Sequence, residues 1–148
     1  MLKPIMNRQD VYSYLLDEFP ELFPQEHSLY DIVSISDGEA QLAFQANETH
    51  LRPGGTVSGP TIMALADLAM YVALLAHIGP VALAVTTSLN INFMRKAEAG
   101  RLLGTAKILK LGRSLAVGDV MIATEIEPEK CVAQASLTYS IPPQSNLN

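Results

Sequence analysis

The feature that most constrains the fold is a long apolar run that carries one acid. The segment from residue 52 to residue 79 reads RPGGTVSGPTIMALADLAMYVALLAHIG, and Asp67 is its only acidic residue. A helix that is apolar nearly all round must be enclosed on most sides. A buried charge without partners is costly. The chain must therefore wrap this segment in other structure and still give Asp67 a polar or functional setting.

The flanks of the run predict one helix over residues 60–77. Ser58 or Gly59 caps its start, Pro60 suits its first turn, and a Gly-Pro pair at residues 79–80 ends it. His77 falls in the last turn, where a cation suits the helix dipole. The run is short for a membrane span and has an acid at its centre. We therefore predict a buried helix and expect no membrane partner.

Alternating apolar and polar residues on both sides of the helix predict antiparallel strands. Before the helix, residues 30–46 alternate on either side of Asp37-Gly38, which predicts a hairpin. After it come four alternating runs, over residues 85–94, 101–112, 113–126 and 130–141. One sheet wrapped around a central helix gives every apolar face a partner, so the predicted fold class is α+β.

The length predicts a single domain over residues 1–148. Residues 1–29 are predicted as an N-terminal helical segment, because residues 7–18 place apolar side chains at helical spacing, among them Val11 and Leu15. Residues 142–148, rich in Pro, Ser and Asn, are predicted as a flexible tail.

Composition bears on partners and location. Only 17% of residues are charged and 49% are hydrophobic, which predicts that a homo-oligomer hides part of the surface. A net charge of −5 argues against nucleic-acid binding. Cys131 is the only cysteine, so no disulfide forms within the chain, and we expect a cytoplasmic protein. Because Cys131 falls in an alternating run, we predict an inert buried thiol.

Two stretches carry a resemblance to a known family. They read GGTVSGPTIMALAD and TTSLNINFMRKAEAGRLLGTAKILKLGRSLAVGDVMI. They resemble the hotdog-fold thioesterases, specifically the PaaI-like acyl-CoA thioesterases, over roughly residues 30–141. The resemblance implies a hotdog fold, in which an antiparallel sheet wraps one long central helix, here with an additional N-terminal helix. It also implies a dimer or a homotetramer, with each site shared between two subunits.

The resemblance implies an acyl-CoA thioesterase without a metal or a cofactor, where coenzyme A is part of the substrate. Asp67 falls on the family's catalytic carboxylate, and a thioester needs such a base or nucleophile. Gly59 falls on the first glycine of the family's His-Gly-Gly turn, whose backbone N–H forms the oxyanion site at a helix N-terminus. Thr86 lies on the strand where related enzymes place a polar residue near the carboxylate; Thr87 and Ser88 are the other candidates there.

Three positions differ from the family pattern. The family's His is Ser58 here, its second Gly is Pro60 and its Asn is Arg52, while Gly55 falls on its loop glycine. Ser58 can donate a hydrogen bond or cap the helix. Arg52 can bind a substrate carboxylate or a CoA phosphate. Since related enzymes bind the nucleotide near the corresponding turns, further candidates for CoA binding are Arg95, Lys96 and Arg113.

Two alternatives remain open at this point. The differences at Ser58, Pro60 and Arg52 motivate a non-catalytic acyl-CoA-binding protein on the same fold. The stretch HLRPGG is also similar to the His-x-Pro-Gly loop of hotdog dehydratases, in which His50 would work with Asp67 as a dehydratase or hydratase. Asp67 itself has a structural alternative, in which it is only hydrogen-bonded to a loop or to Tyr71.

Overall fold

The computed structural model of this chain describes residues 2–24 and 28–143. In these residues the six strands form one antiparallel sheet, in the order β1-β2-β4-β5-β6-β3. The elements are α1 (Arg8–Glu18), β1 (Tyr30–Ser36), β2 (Glu39–Ala46), a 3₁₀ turn (Glu48–His50), α2 (Gly59–Ile78), β3 (Val85–Phe93), β4 (Gly100–Leu111), β5 (Leu115–Thr124) and β6 (Ala133–Ser140). Residues 144–148 of the predicted tail lie outside the described residues.

Helix α2 forms because strong local signals mark both of its ends. The Ser58 side chain accepts the backbone N–H of Thr61, and a proline occupies the first turn. Gly79 ends the helix with a positive φ of 95°, and its N–H donates to the Leu75 carbonyl at 2.9 Å. In length and hydropathy α2 is the one helix of the described residues that could cross a membrane, yet the fold buries twelve of its residues.

The sheet curves around α2, as the α+β hotdog architecture requires. The helix packs against β2, β4 and β5, and the residues between them make up most of the core. Glycines on the sheet allow the close approach. A Cβ at Gly104 would lie 3.1 Å from Ile122 Cδ1 and 3.3 Å from Leu65 Cγ, and a Cβ at Gly118 would overlap Met70 Sδ.

The β1–β2 hairpin is joined to the end of α2 by one buried histidine. Gly38, in the predicted turn, has a φ of 70°, and its N–H donates to His77 Nε2 at 2.8 Å. Nδ1 of the same ring donates to the Ala73 carbonyl at 2.7 Å. A ring that accepts through Nε2 is neutral. The expectation that His77 acts as a cation at the helix end is therefore wrong, because the ring ties the helix to the hairpin instead.

Helix α1 confirms the helix that the apolar spacing of residues 7–18 predicts. A capping box between Asn7 and Asp10 starts α1, and Val11 and Leu15 are fully buried.

The prediction that Cys131 is a buried thiol within a strand needs correction. The strand begins only at Ala133, and Cys131 lies in the preceding loop, half-buried, with its thiol donating to the Ala133 carbonyl at 3.1 Å. Because β6 begins after Cys131, the alternating burial of its residues does not include the cysteine.

Replacing Gly118 by Ala should lower the free energy of unfolding by about 1–3 kcal/mol, because the added methyl overpacks a filled core. Met70 is fully buried and has to move. Urea unfolding of Gly118→Ala, Met70→Ala and the double variant measures this. The double variant should cost less than the sum of the single changes, because Met70→Ala removes the overlapping atoms. Additive costs would contradict the packing described here.

Candidate active site

Asp67 faces a cleft on the surface of the subunit and not the core. The residue is half-buried in the middle of α2. The cleft, here called the Asp67 cleft, has a volume of about 420 Å³. Apart from Asp67 its walls are mostly apolar and aromatic, and they include Phe19, Leu22, Tyr30, Ala64, Leu68, Tyr71, Ala84, Val85, Thr86 and Tyr139. A larger recess along β1 does not include Asp67.

One oxygen of the Asp67 carboxylate is held by two hydroxyl groups. Thr86 Oγ1 donates to Oδ1 at 2.6 Å, and the Tyr139 hydroxyl donates to the same atom at 2.7 Å. The Tyr139 hydroxyl also lies 3.0 Å from the backbone carbonyl oxygen of Asp67. Within the part of the chain that the structure describes, Oδ2 accepts no hydrogen bond and Asp67 has no ion pair. The carboxylate is thus fixed in orientation while Oδ2 remains available to a ligand.

Tyr139 is a site residue that the sequence reasoning missed. Burial, followed by the Asp67 carboxylate, raises the pKa of Tyr139 well above its ordinary value. The phenol therefore stays protonated and keeps donating to Asp67. The alternation in β6 predicts that its odd-numbered residues face inward, and an inward tyrosine needs a partner for its hydroxyl. What the pattern does not reveal is that the partner is Asp67.

The structural alternative with Tyr71 is wrong, since Tyr71 does not bond to Asp67. Its hydroxyl points to the Val81 carbonyl at 3.4 Å, and its ring stacks on Tyr139 with centroids 6.0 Å apart. Burial, with smaller contributions from Tyr14 and Glu18, raises the pKa of Tyr71 above its ordinary range. Two neutral phenols thus line one side of the Asp67 cleft.

A β-bulge turns Thr86 towards Asp67. In a regular strand Thr86 would share a face with Ser88, opposite to the helix-facing Leu89 and Ile91. The pairing of β3 with β6 shifts between Thr86 and Ser88, so that Thr86 opposes Tyr139 directly while Leu89 opposes Leu137. Thr86 therefore lies on the helix side together with Leu89. Of the three candidates, Thr86 contacts Asp67, whereas Thr87 donates to the Thr138 carbonyl.

A second cavity lies at the N-terminus of α2, on the side of Gly59. This Gly59 cavity has a volume of about 450 Å³, and its walls include Arg52, Thr56, Gly59, Ile62, Phe93, Arg95 and Lys96. In the described residues the Gly59 N–H donates to no protein acceptor, and the following Pro60 has no N–H. Ser58 Oγ accepts the next free donor, Thr61 N–H, at 3.4 Å. Ser58 therefore acts as a helix cap, and Gly59 supplies the free donor.

The structure does not bring Gly59 and Asp67 together within one chain. Asp67 follows Gly59 by eight positions along α2, which corresponds to about 12 Å at 1.5 Å per residue. One thioester carbonyl cannot contact both groups. The sheet edge beside the two cavities is open. Among the described residues β3 pairs only with β6, and Val85, Phe93 and Met94 are about half exposed. An open apolar edge is a surface on which a second chain can pair.

The remaining predicted residues divide by location. Arg52, Arg95 and Lys96 are exposed and share the Gly59 cavity, whereas Arg113 lies in the β4–β5 turn, outside both cavities. Gly55 closes the turn before α2, with a φ of 85° and its N–H donating to the Arg52 carbonyl at 3.0 Å.

His50 and Asp67 do not form a pair. His50 Nδ1 instead accepts the Asn47 N–H at 2.9 Å, and His50 does not line the Asp67 cleft. The dehydratase alternative needs a histidine beside the carboxylate, so the structure does not support it.

Comparison with known proteins gives consistent results. The thioesterase superfamily model matches residues 54–131. The 1,4-dihydroxy-2-naphthoyl-CoA hydrolase of Listeria monocytogenes is 26% identical over 113 residues, which cover 76% of this chain and 92% of that protein.

Two solved structures are also similar to this chain. A candidate thioesterase from Silicibacter sp. TM1040 is 45% identical, with a TM-score of 0.85 and 96% of both chains covered. The phenylacetic acid degradation protein PaaI of Thermus thermophilus, solved as a mutant, is 28% identical with a TM-score of 0.67, covering 76% of this chain and 93% of that one.

The family model covers more than half of the chain, and it includes Gly59, Asp67 and Thr86. The wrapped helix and the six-stranded antiparallel sheet confirm the predicted hotdog fold. This chain therefore belongs to the thioesterase superfamily and is a thioester hydrolase of the hotdog fold.

Proposed function

We propose that this protein hydrolyses acyl-CoA thioesters to the free acid and CoA, with Asp67 as base or nucleophile. The observation that carries the proposal is the Asp67 carboxylate, with Oδ1 held by Thr86 and Tyr139 and Oδ2 free in an apolar cleft. A fixed carboxylate in a poorly solvated site is suited to attack or to proton abstraction. The name of the Listeria relative, a CoA thioester hydrolase, supports the substrate class.

The reaction needs attack on the thioester carbon and a hydrogen-bond donor for the carbonyl oxygen. As a base, Oδ2 would take a proton from water while the water oxygen adds to the thioester carbon. As a nucleophile, Oδ2 would add to that carbon itself. In both cases negative charge develops on the carbonyl oxygen, and a free N–H at a helix N-terminus stabilises it. The Gly59 N–H is the candidate donor. The C–S bond then breaks, and CoA leaves as a thiolate. In the base route the thiolate takes up the proton that Asp67 removed from water. In the nucleophile route the acyl group remains on Asp67 as a mixed anhydride; water then hydrolyses it to the free acid, which restores the carboxylate and supplies the proton that the thiolate takes up.

A homodimer would unite the two halves of the site. Because Gly59 and Asp67 of one chain are about 12 Å apart along α2, we propose that each thioester lies between Asp67 of one subunit and Gly59 of its partner. The exposed β3 edge supports this arrangement. Arg52, Arg95 and Lys96 around the Gly59 cavity would then contact the phosphates of CoA from the partner's side. Arg113 lines neither the Asp67 cleft nor the Gly59 cavity, so no contact in the structure supports it in this role.

Asp67→Asn should abolish hydrolysis while the fold remains intact, because the amide can act neither as base nor as nucleophile. Release of free thiol from a set of acyl-CoAs of different length and ring content measures activity, and circular dichroism checks the fold. Asp37→Asn is the matched control, since Asp37 pairs with Lys3 on the surface outside both cavities. Retained activity in Asp67→Asn would exclude this mechanism. Binding without turnover by the unmodified protein would favour the acyl-CoA-binding alternative.

Tyr139→Phe should lower kcat by about tenfold to a hundredfold, because a hydrogen bond to a charged group contributes about 1.5–3 kcal/mol. The KM should change less, since the ring and the shape of the cleft remain. Tyr71→Phe is the matched comparison: its ring lines the same cleft, but its hydroxyl bonds to Val81. Steady-state kinetics of both variants test the role. Equal effects of the two changes would show that the contact between Tyr139 and Asp67 is unimportant.

Mixing two inactive variants should restore activity if each site draws on two subunits. Gly59→Val keeps the N–H but places side-chain atoms where the thioester would approach it. In a dimer of Asp67→Asn with Gly59→Val, one site carries both substitutions and the other carries neither. After unfolding and refolding together at equal amounts, we expect about a quarter of the original activity, because half of the dimers are mixed and each has one intact site. Each variant refolded alone is the control. Absence of recovery, with mixed dimers detected by mass, would indicate that the site lies within one chain.

A further inference from the structure

A third cavity, distinct from the Gly59 cavity, adjoins the Asp67 cleft along α2. This distal cavity has a volume of about 450 Å³, and its walls include Glu21, Leu22, Tyr30, Phe44, His50 and Ala64. Three of these residues, Leu22, Tyr30 and Ala64, also form walls of the Asp67 cleft. The two spaces are therefore neighbours on one face of the helix. A substrate whose carbonyl lies at Asp67 can extend its acyl group towards the distal cavity.

The distal cavity extends from the Asp67 cleft to the first turn of α2. Pro60 and Thr61, in the first turn of α2, lie there beside His50, and Asp67 follows Pro60 by seven positions. This corresponds to about 10 Å at 1.5 Å per residue. The residues that line both spaces, Leu22, Tyr30 and Ala64, are apolar or aromatic. An acyl group of medium length would fill this distance and bury its apolar part there.

His50 is the histidine among the residues that line the distal cavity. Its ring lies edge-on to Phe44, with centroids 4.8 Å apart, and Nδ1 accepts the Asn47 N–H at 2.9 Å. Because Nδ1 accepts, the proton of the neutral ring is on Nε2, at the opposite edge. Nε2 makes no hydrogen bond to any residue in the described ranges. The half-buried ring lines the cavity together with Phe44, and its Nε2 is left without a partner among the described residues.

We propose that this site selects acyl groups of medium length that carry an uncharged oxygen at the end farthest from the thioester. The oxygen accepts the hydrogen bond from His50 Nε2–H, and the chain lies between α2 and the N-terminal segment that contributes Leu22. A terminal carboxylate is disfavoured, because Glu21 lines the same cavity. The inference rests on the proposed function for the position of the thioester at Asp67. It adds a specificity residue and a substrate class to that function.

The test compares octanoyl-CoA with 8-hydroxyoctanoyl-CoA, which differ only in the terminal hydroxyl. Dissociation constants are measured by titration calorimetry on full-length Asp67→Asn, so that turnover does not interfere. Values of kcat/KM are measured on the protein with Asp67 intact. With His50 present, the hydroxylated ligand should bind about tenfold more tightly, as expected for one neutral hydrogen bond in a half-buried site.

Two substitutions of His50 separate its two nitrogen atoms. In His50→Asn the side-chain oxygen can keep the hydrogen bond from Asn47, while the donor at the Nε2 position is lost. In His50→Gln the amide can keep a donor near the Nε2 position, while the acceptor for Asn47 is lost. We expect the tenfold preference to vanish in His50→Asn and to persist in His50→Gln. A loss caused only by disturbance of the 3₁₀ turn would give the opposite order.

The outcomes distinguish this inference from the proposed function. Equal dissociation constants for the two ligands with His50 present would overturn the inference, even if both were hydrolysed. A preference that survives in His50→Asn would overturn it as well, and so would failure of both ligands to bind. A preference in binding without hydrolysis of either ligand would uphold the distal site and contradict the proposed function.

Discussion

The burial of one apolar helix determines the rest of this structure. Helix α2 has almost no polar face, so the sheet must enclose it, and twelve of its twenty residues are buried as a result. Close contact is possible because Gly104 and Gly118 leave room on the sheet for the side chains of Leu65 and Met70. His77, at the end of the helix, then joins the β1–β2 hairpin to the same core. Each of these contacts exists because α2 cannot face water.

The same constraint explains how an acid is tolerated on this helix. Asp67 lies where the enclosure is incomplete, at a cleft between the N-terminal segment and the edge strand. Two neutral hydroxyls, from Thr86 and Tyr139, satisfy one carboxylate oxygen. No cation pairs with the group in the described residues. The proposed role of Asp67 rests on this fixed position in a mostly apolar cleft.

Much of the fold could be predicted because its signals are local. The cap at Ser58, the glycine at position 79 and the period-two alternation of the strands each depend on neighbouring residues in the sequence. The antiparallel sheet around the helix followed from those elements and from the family resemblance. The exception is Cys131, which continues the alternation in the sequence but lies in a loop. A periodic pattern does not reveal where the pairing with the neighbouring strand stops.

The sequence by itself determined the helix, the strands and the identity of the acid, because capping, periodicity and the scarcity of charge in α2 are all readable without contacts. Only the tertiary structure decided which groups meet that acid. In a strand with regular alternation Thr86 would face away from the helix. A bulge in the pairing of β3 with β6 places it on the helix side. Tyr139 comes from 72 residues farther along the chain, and the separation of Gly59 from Asp67 is set by helix geometry. Contacts between distant residues depend on strand register and packing, which no short stretch of the sequence encodes.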